Sequence, residues 1–347
     1  MQALILAGGK GLRLRPLTIH TPKPIVPVAN RPLLLYQIEL LKRAGITEIT
    51  LSLSYQPNKI EEVFGDGSEQ GVKIRYTVEA EPLGTAGAFK HAQPTIRAAT
   101  VVLNGDILTN INLAEVVAYH HRHEALATIV SVPVADPSLY GMVESDAEGR
   151  VSRYVEKPKA DEITCDTINA GIYVLEPRVL DLIPADESYS FEYGLFPQLL
   201  AQGARFYAYT AQAYWLDIGA PQRYLQAHLD LLGGRVKHFK LSRQPLPAAQ
   251  SANGEAAKLD AHSIVHPTCT LKPGVEIVNS VLGANCVIEE RTRIEDSVLW
   301  ANTRVGQVSL VRHSFIGKGS IIGRNVTVEH AVLGDKSALT DYTIIEG

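Results

Sequence analysis

Five segments at the C-terminal end of the chain fall into register at a spacing of 17 residues. They are SIVHPTC from 263, SVLGANC from 280, SVLWANT from 297, SFIGKGS from 314 and AVLGDKS from 331. Within each period aliphatic residues follow at steps of six, six and five. The series runs Val265, Leu271, Ile277, Leu282, Ile288, Ile294, Leu299, Val305, Val311, Ile316, Ile322, Val328, Leu333, Leu339 and Ile345, and all 15 positions are aliphatic. A three-sided coil with one short strand per side and one inward aliphatic per strand stacks these residues into ladders. The spacing therefore predicts a hexapeptide-type parallel β-helix over 262–347, with room for about five coils. An irregular β-sandwich gives no reason for a constant interval. Cys269 and Cys286 are one period apart, so they are expected to stack as packing residues at one corner.

Residues 1–232 follow another rule. Short β-branched runs at 3–7, 49–53, 73–78, 100–104 and 126–132 read as strands. Between them LLLYQIELLKRAG (33–45), NKIEEVF and NLAEVVAYHHRH have helical spacing. Alternating strands and helices predict an α/β domain with a mostly parallel sheet. Ligands of such sheets lie outside the carboxyl ends of the strands, which directs attention to the loops after residues 7, 104 and 217. The stretch 233–261 is rich in Gly, Pro, Ala and Ser and reads as a linker.

The first strand runs into LAGGKGLRLRPLT (6–18) and TPKPIVPV (21–28). Residues 1–38 hold Lys10, Arg13, Arg15, Lys23 and Arg31 and no Asp or Glu. Five cations beside Gly8, Gly9 and Gly11 describe a polyanion site, because glycine lets backbone N–H groups turn towards an anion. Prolines at 16, 22, 24 and 27 exclude a regular helix and stiffen the path. Two phosphate motifs are excluded. A Walker loop needs Ser or Thr after Gly-Lys, and Lys10 is followed by Gly11. A dinucleotide fingerprint opens a helix, and prolines stand there instead.

These motifs resemble the sugar-1-phosphate nucleotidyltransferases. The resemblance continues in order through EPLGTAGA (81–88), NGD (104–106), YGMV (140–143), VEKP (155–158), NAGIYV (169–174) and WLDIG (215–219), and on into the β-helix. Leu12 departs from the family's usual Thr. The resemblance implies a Rossmann-like nucleotidyltransferase domain followed by a left-handed parallel β-helix. The implied reaction is attack of a sugar-1-phosphate oxygen on the α-phosphorus of a nucleoside triphosphate, with pyrophosphate leaving. Positioning and charge neutralisation carry such a reaction.

By the same resemblance Arg13 holds the leaving pyrophosphate and Lys23 sits at the α-phosphate. Asp106 and Asp217 together hold one Mg²⁺. Leu6, Ala7, Gly8, Gly9, Gly11, Glu79, Pro82, Gly84 and Thr85 line the nucleotide. Gly141, Glu156, Lys157, Asn169 and Gly171 line the sugar phosphate, and Pro158 is expected to keep Lys157 extended. The base is read near Ala7 and Gly8 and by a side chain just before GTAG, which is Glu79. A carboxylate only accepts, which matches the N1–H and N2–H donors of guanine. The wording of EPLGTAGA and WLDIG is similar to the guanylyltransferase branch that acts on mannose 1-phosphate. Thymidylyl or uridylyl transfer to glucose 1-phosphate and guanylyl transfer to heptose 1-phosphate are the alternatives. A nucleotide-sugar-sensing regulatory subunit and a β-helix acyltransferase using His262, His266, His313 or His330 are the rivals of other classes.

The remaining features carry less. Tyr119–His123 reads as a solvated helix end rather than a metal tract. Tyr189, Phe191, Tyr193 and Phe196 read as core. A net charge of −4 gives no basic field for nucleic acid. Three cysteines are too few for a disulfide framework. The few cysteines point to a reducing cytoplasm, no membrane span and no signal peptide are read, and the β-helix is expected to serve assembly into a homo-oligomer.

Overall fold

The computed structural model describes residues 1–241 and 256–347. The chain forms two compact units, one of residues 1–10 and 34–215, the other of residues 11–33 and 216–347. The segment 11–33 and the chain after 216 group with the β-helix.

The first unit is built on a nine-stranded sheet. Its strands are β1 (Gln2–Leu6), β2 (Glu48–Leu53), β3 (Lys73–Val78), β4 (Thr100–Asn104), β5 (Ala127–Pro133), β6 (Gly141–Ser145), β7 (Val151–Glu156), β8 (Thr167–Leu175) and β9 (Phe206–Thr210). The order β7-β6-β8-β4-β1-β2-β3 is parallel from β4 to β3, and β5 joins β8 to β9. The five strands read from alternation are present. Strands β6, β7 and β8 run antiparallel to their neighbours, an extension that alternation did not reveal. Helices α1 (Leu33–Arg43), α2 (Pro57–Phe64), α3 (Gly84–His91), α4 (Leu113–Arg122) and α5 (Phe196–Ala201) accompany the sheet. The chain leaves β1 for β2 on one side while β4 lies on the other. That reversal opens a crevice at the carboxyl ends of β1 and β4.

Phe191 and Phe196 stack at 5.8 Å in the core of this unit beside Tyr173 and Phe206. Tyr193 departs from the expected core role and is 72% exposed, since the intervening residues turn it outward. The Tyr119–His123 stretch is a helix end, but not the solvated one expected from the sequence, because the helix turns one face of it inward. His120 is buried with its ring on Thr128 Oγ1 and Glu176 Oε1, and His123 packs on Tyr119 and Tyr207.

The second unit contains the β-helix. Strands pair one period apart, Val265 with Leu282 and Ile277 with Ile294, and the ladders form one apolar core. Lys258–Leu259 already pairs with Glu276–Ile277, so the first sheet starts before residue 262. The expected linker 233–261 also includes residues 242–255, which lie outside the described residues. Cys286 is fully buried and its thiol donates to the Trp300 carbonyl at 3.2 Å. The neighbouring Cys269 thiol and burial push Cys286 above its ordinary value, which keeps it an unreactive packing residue.

Left-handed residues recur at the coil corners. One column is Asn279, Asp296, His313 and His330, a second is Asn285, Asn302, Gly319 and Lys336, and a third is Arg291, Val308, Asn325 and Tyr342. Asn, Asp and Gly accept this conformation best. Val308 does not: it is β-branched, has φ 58 and is 44% exposed, so little packing compensates the strain. Val308→Asn is expected to stabilise the protein by about 1 kcal/mol. Denaturant unfolding checks this through a higher midpoint at unchanged slope.

Helix α6 (Pro221–Leu232) completes the second unit. Its His228 is fully buried, and burial pushes the imidazole from 6.5 down to about 3, against a smaller pull from the Pro27 carbonyl. The unfolded chain takes up this proton near pH 6.5, the folded chain only near 3. The contribution is therefore whole above 6.5 and is lost as pH falls towards 3. Unfolding free energies of wild type and His228→Asn, measured from pH 7 to 4, are expected to differ with a slope of at most about 1.4 kcal/mol per unit, wild type losing more on acidification.

Candidate active site

In the first unit the crevice begins where β1 and β4 end. The Gly105 N–H donates to the Leu6 carbonyl at 2.8 Å, and a Cβ on Gly105 would stand 2.7 Å from that oxygen. Only glycine lets the NGD turn lie so close to β1. Ala7 N–H donates to Ser52 O, and Ser54 Oγ donates to Gly8 O at 2.6 Å. Gly9 follows with open space around its α-carbon. Gln37 on α1 donates to the carbonyls of Asn104 and Ile107, bracing the Asp106 turn. Ser52, Ser54 and Gln37 were not singled out in the sequence, because their role lies in contacts between distant segments.

Glu79 follows β3 and is only 6% exposed. Its Oε1 accepts from Ser52 Oγ at 2.7 Å and its Oε2 from Leu83 N–H at 2.9 Å. The carboxylate thus ties the EPLG loop to β2. Each oxygen has a further lone pair. Pro82 is exposed, and Gly84 takes φ 73 with no room for a side chain against the Tyr189 carbonyl. Thr85 faces inward: its Oγ1 donates to Glu192 and accepts from Phe191 N–H.

The expected sugar-side residues cluster around β6, β7 and β8. Gly141 stands opposite Glu156, and a Cβ there would meet Tyr154 Oη at 2.0 Å and Glu156 Oε2 at 2.7 Å. Tyr154 donates to Glu156 Oε2 at 2.7 Å. The β8 register shifts between Asn169 and Tyr173, where Gly171 has φ 68. Asn169 accepts from Gly171 N–H and donates to Tyr173 Oη, both at 2.9 Å. Trp215 Nε1 donates to the Ala170 carbonyl. Burial, then the carboxylates of Glu192, Glu156 and Asp106, hold the Tyr173 phenol well above its ordinary value. Asp106 and Glu156 therefore share one electrostatic neighbourhood. Lys157 is a correction: it is not extended but has φ 50, with its N–H on the Tyr140 carbonyl. That hydrogen bond and the turn after β7 outweigh the preference imposed by Pro158.

The second unit carries Gly11, Arg13, Lys23 and Asp217. Gly11 has φ 61 and packs against Thr18 and Lys23, and Thr18 Oγ1 donates to Gly11 O at 2.6 Å. This clasp folds the loop so that Lys23 lies buried at 8% exposure while Arg13 is exposed. Asp217 Oδ2 lies 3.9 Å from Arg13 and 3.3 Å from Arg223, which sequence reasoning did not name. A Cβ on Gly219 would stand 2.5 Å from Arg13 Nη2 and 2.8 Å from both Asp217 oxygens. The glycine of WLDIG thus makes space for the ion pair.

Among the described residues no group of three or more His, Cys, Asp or Glu forms a metal cage. Asp106 and Asp217 are hard oxygen donors, and Asn104 Oδ1, two residues before Asp106, is buried with no hydrogen-bond partner. That donor chemistry fits a divalent cation that keeps waters and phosphate oxygens in its shell. No helix among the described residues is long and apolar enough to cross a membrane.

Gly219→Ala is expected to lower turnover at least ~100-fold, because an active-site displacement of about 1 Å costs that much. The thermal midpoint should stay within a few degrees, which separates the effect from unfolding.

Comparison with known proteins agrees with this geometry. Residues 2–233 match the profile described as Nucleotidyl transferase, and residues 248–345 match the EIF2B subunit epsilon LbH domain. The chain is 37% identical over 284 residues to the mannose-1-phosphate guanylyltransferase of Mycobacterium tuberculosis, covering 81% of this chain and 74% of that protein. It is 38% identical over 274 residues to the mannose-1-phosphate guanyltransferase of Saccharomyces cerevisiae, covering 77% and 72%. The crystal structure of HddC from Yersinia pseudotuberculosis complexed with GMP-PN superposes with a TM-score of 0.57 at 31% identity, over 66% of this chain and 99% of that one. Crevice, arginine–carboxylate pair and these matches together place the chain in the nucleotidyl transferase family, with a C-terminal parallel β-helix.

Proposed function

We propose that the protein is a mannose-1-phosphate guanylyltransferase, joining GTP and mannose 1-phosphate into GDP-mannose with release of pyrophosphate. The observation that carries this reading is the 37% identity, over 81% of the chain, to a protein of that name. Glu79 supports the base assignment. Its carboxylate is already seated by Ser52 and Leu83, and its remaining lone pairs only accept, as guanine N1–H and N2–H require.

The sugar phosphate oxygen attacks the α-phosphorus, the bond to the β-phosphate bridging oxygen breaks, and pyrophosphate carries away the charge. Lys23 neutralises the α-phosphate where negative charge builds. Arg13, oriented by Asp217, offers its fork to the leaving pyrophosphate. The backbone of Leu6 to Gly9 and Gly11 faces the nucleotide together with Pro82, Gly84 and the backbone of Thr85. Glu156 and Asn169 take sugar hydroxyls, Lys157 takes the sugar phosphate, and Gly141 and Gly171 keep the backbone close. A divalent metal belongs to the chemistry of this family. We assign it as Mg²⁺, with Asp106 and Asp217 as its carboxylate ligands; when bound it would draw charge from the triphosphate oxygens. Assembly into a homo-oligomer is part of the same reading, and light scattering on the full chain tests it against the 37.8 kDa of a monomer.

Pyrophosphate release measured for GTP, dTTP, UTP and ATP against mannose, glucose and heptose 1-phosphates is expected to peak for GTP with mannose 1-phosphate. A maximum for another pair rejects the substrate assignment. Lys23→Ala is expected to lower kcat by about 1,000-fold with the fold intact, in the range of other lost transition-state charge contacts. Glu79→Gln keeps an acceptor for Leu83 and a donor for Ser52, so the loop should hold. Its preference for GTP should nevertheless fall, and an unchanged preference removes Glu79 from base reading.

A further inference from the structure

The loop Gly11–Leu33 carries Arg13 and Lys23, yet its far end is held by side chains from elsewhere in the second unit. Pro27–Val28 and Arg31–Pro32 form a short hairpin whose turn residues, Ala29 and Asn30, have φ 47 and 62. His228 Nδ1 accepts the Ala29 N–H at 3.2 Å. The Tyr224 hydroxyl donates to the Pro27 carbonyl. Behind this pair lies Phe315 of the β-helix. Its ring is stacked on Tyr224 with centroids 4.7 Å apart and planes at 2°, and it meets His228 edge-on at 5.9 Å. All three side chains are at most 2% exposed. Asn30 Nδ2 also donates to the Leu282 carbonyl of the β-helix at 2.8 Å. A Cβ on Gly334 would stand 2.9 Å from the Pro16 Cβ, so the β-helix touches the loop on its other limb as well.

These contacts reach Lys23 by a short path. Val26 N–H donates to the Lys23 carbonyl, and the Val26 carbonyl accepts from Leu33 N–H across the hairpin. A shift of Pro27 or Ala29 therefore moves the turn that carries Lys23.

We propose that Phe315, Tyr224 and His228 are positioning residues for nucleotidyl transfer, through which the β-helix holds the Lys23 loop in its working geometry. This deepens the reading of the preceding subsection and rests on it. The β-helix is then part of the catalytic apparatus and not only a device for assembly. The polar atoms explain why two of the three residues are His and Tyr. A purely apolar contact would be met by Leu or Phe at 224 and 228, without leaving polar groups to be buried.

The test compares Tyr224→Phe, Phe315→Ala, His228→Leu and His228→Asn in the full chain. Asn presents an acceptor oxygen where Nδ1 stands, and Leu does not. Two readouts are taken, steady-state kinetics and hydrogen exchange of residues 23–33, with the β2 segment 48–53 as internal control. Tyr224→Phe and His228→Leu are expected to speed exchange of 23–33 about tenfold and to lower kcat by about tenfold, with KM for GTP within about twofold. His228→Asn should recover most of kcat. Unchanged exchange of 23–33 in all four variants overturns the proposal. So does faster exchange with unchanged kcat, and so does equal loss in His228→Leu and His228→Asn. Should wild type release no pyrophosphate from GTP and mannose 1-phosphate, the reading of function fails. Exchange alone then decides whether the stack holds the loop, and unchanged exchange still overturns it.

Discussion

A loop interrupted by five prolines makes few regular hydrogen bonds of its own, so its shape is decided by what it is packed against. In this protein that loop carries the cations. Its apolar residues Leu14, Leu17, Val26 and Val28 are buried, and its turns are closed by single bonds such as Thr18 to Gly11 and His228 to Ala29. The grouping of residues 11–33 with the chain after 216 follows from this dependence. Stiffness from proline becomes useful only once such contacts choose one of the shapes that proline permits.

Charge is arranged by the same economy of means. Arg13 is an exposed side chain, and an exposed ion pair alone is worth little. Its partner Asp217 is largely buried and accepts a hydrogen bond from Arg223, so the carboxylate stands fixed between two guanidinium groups. Gly219 leaves the space that this needs. On the first unit, Asp106 and Glu156 stand around the buried Tyr173 phenol, which stays protonated and bonded to Asn169. Preorganised charge of this kind is what phosphoryl chemistry asks of a protein.

Part of the candidate site was legible where a motif follows a strand end, as the glycines do after β1, NGD after β4 and VEKP at the end of β7, whereas YGMV opens β6 and NAGIYV lies within β8. TVVLNGD and the glycines after β1 announce themselves by composition, and the carboxyl-end rule tells where they point. The bulge at Asn169–Tyr173 and the pairing of β8 with β4 and β5 were not legible, since the partners lie far apart in the chain, whereas β6 and β7 are a hairpin of neighbours that strand–helix alternation passes over. Lys157 shows the limit of a local rule: the preference before proline lost to one hydrogen bond and a turn. Tyr193 shows the same limit for an alternating aromatic pattern, which cannot say which member faces out.

By itself the sequence determined the β-helix almost completely. A period of 17 with three aliphatic steps has one economical solution, because every inward position must be filled and every coil rests on the one before. It also determined the chemistry available, since a stretch with five cations and no carboxylate can hold little but anions. Only the tertiary structure decided which residues hold these groups in place. Ser52 under Glu79, Gly219 beside Arg13, and the ring of Phe315 behind Tyr224 meet across tens to hundreds of residues, and no local pattern encodes such meetings. They arise when the surfaces that periodicity has built are packed together, and it is there that the protein's charged groups acquire their positions.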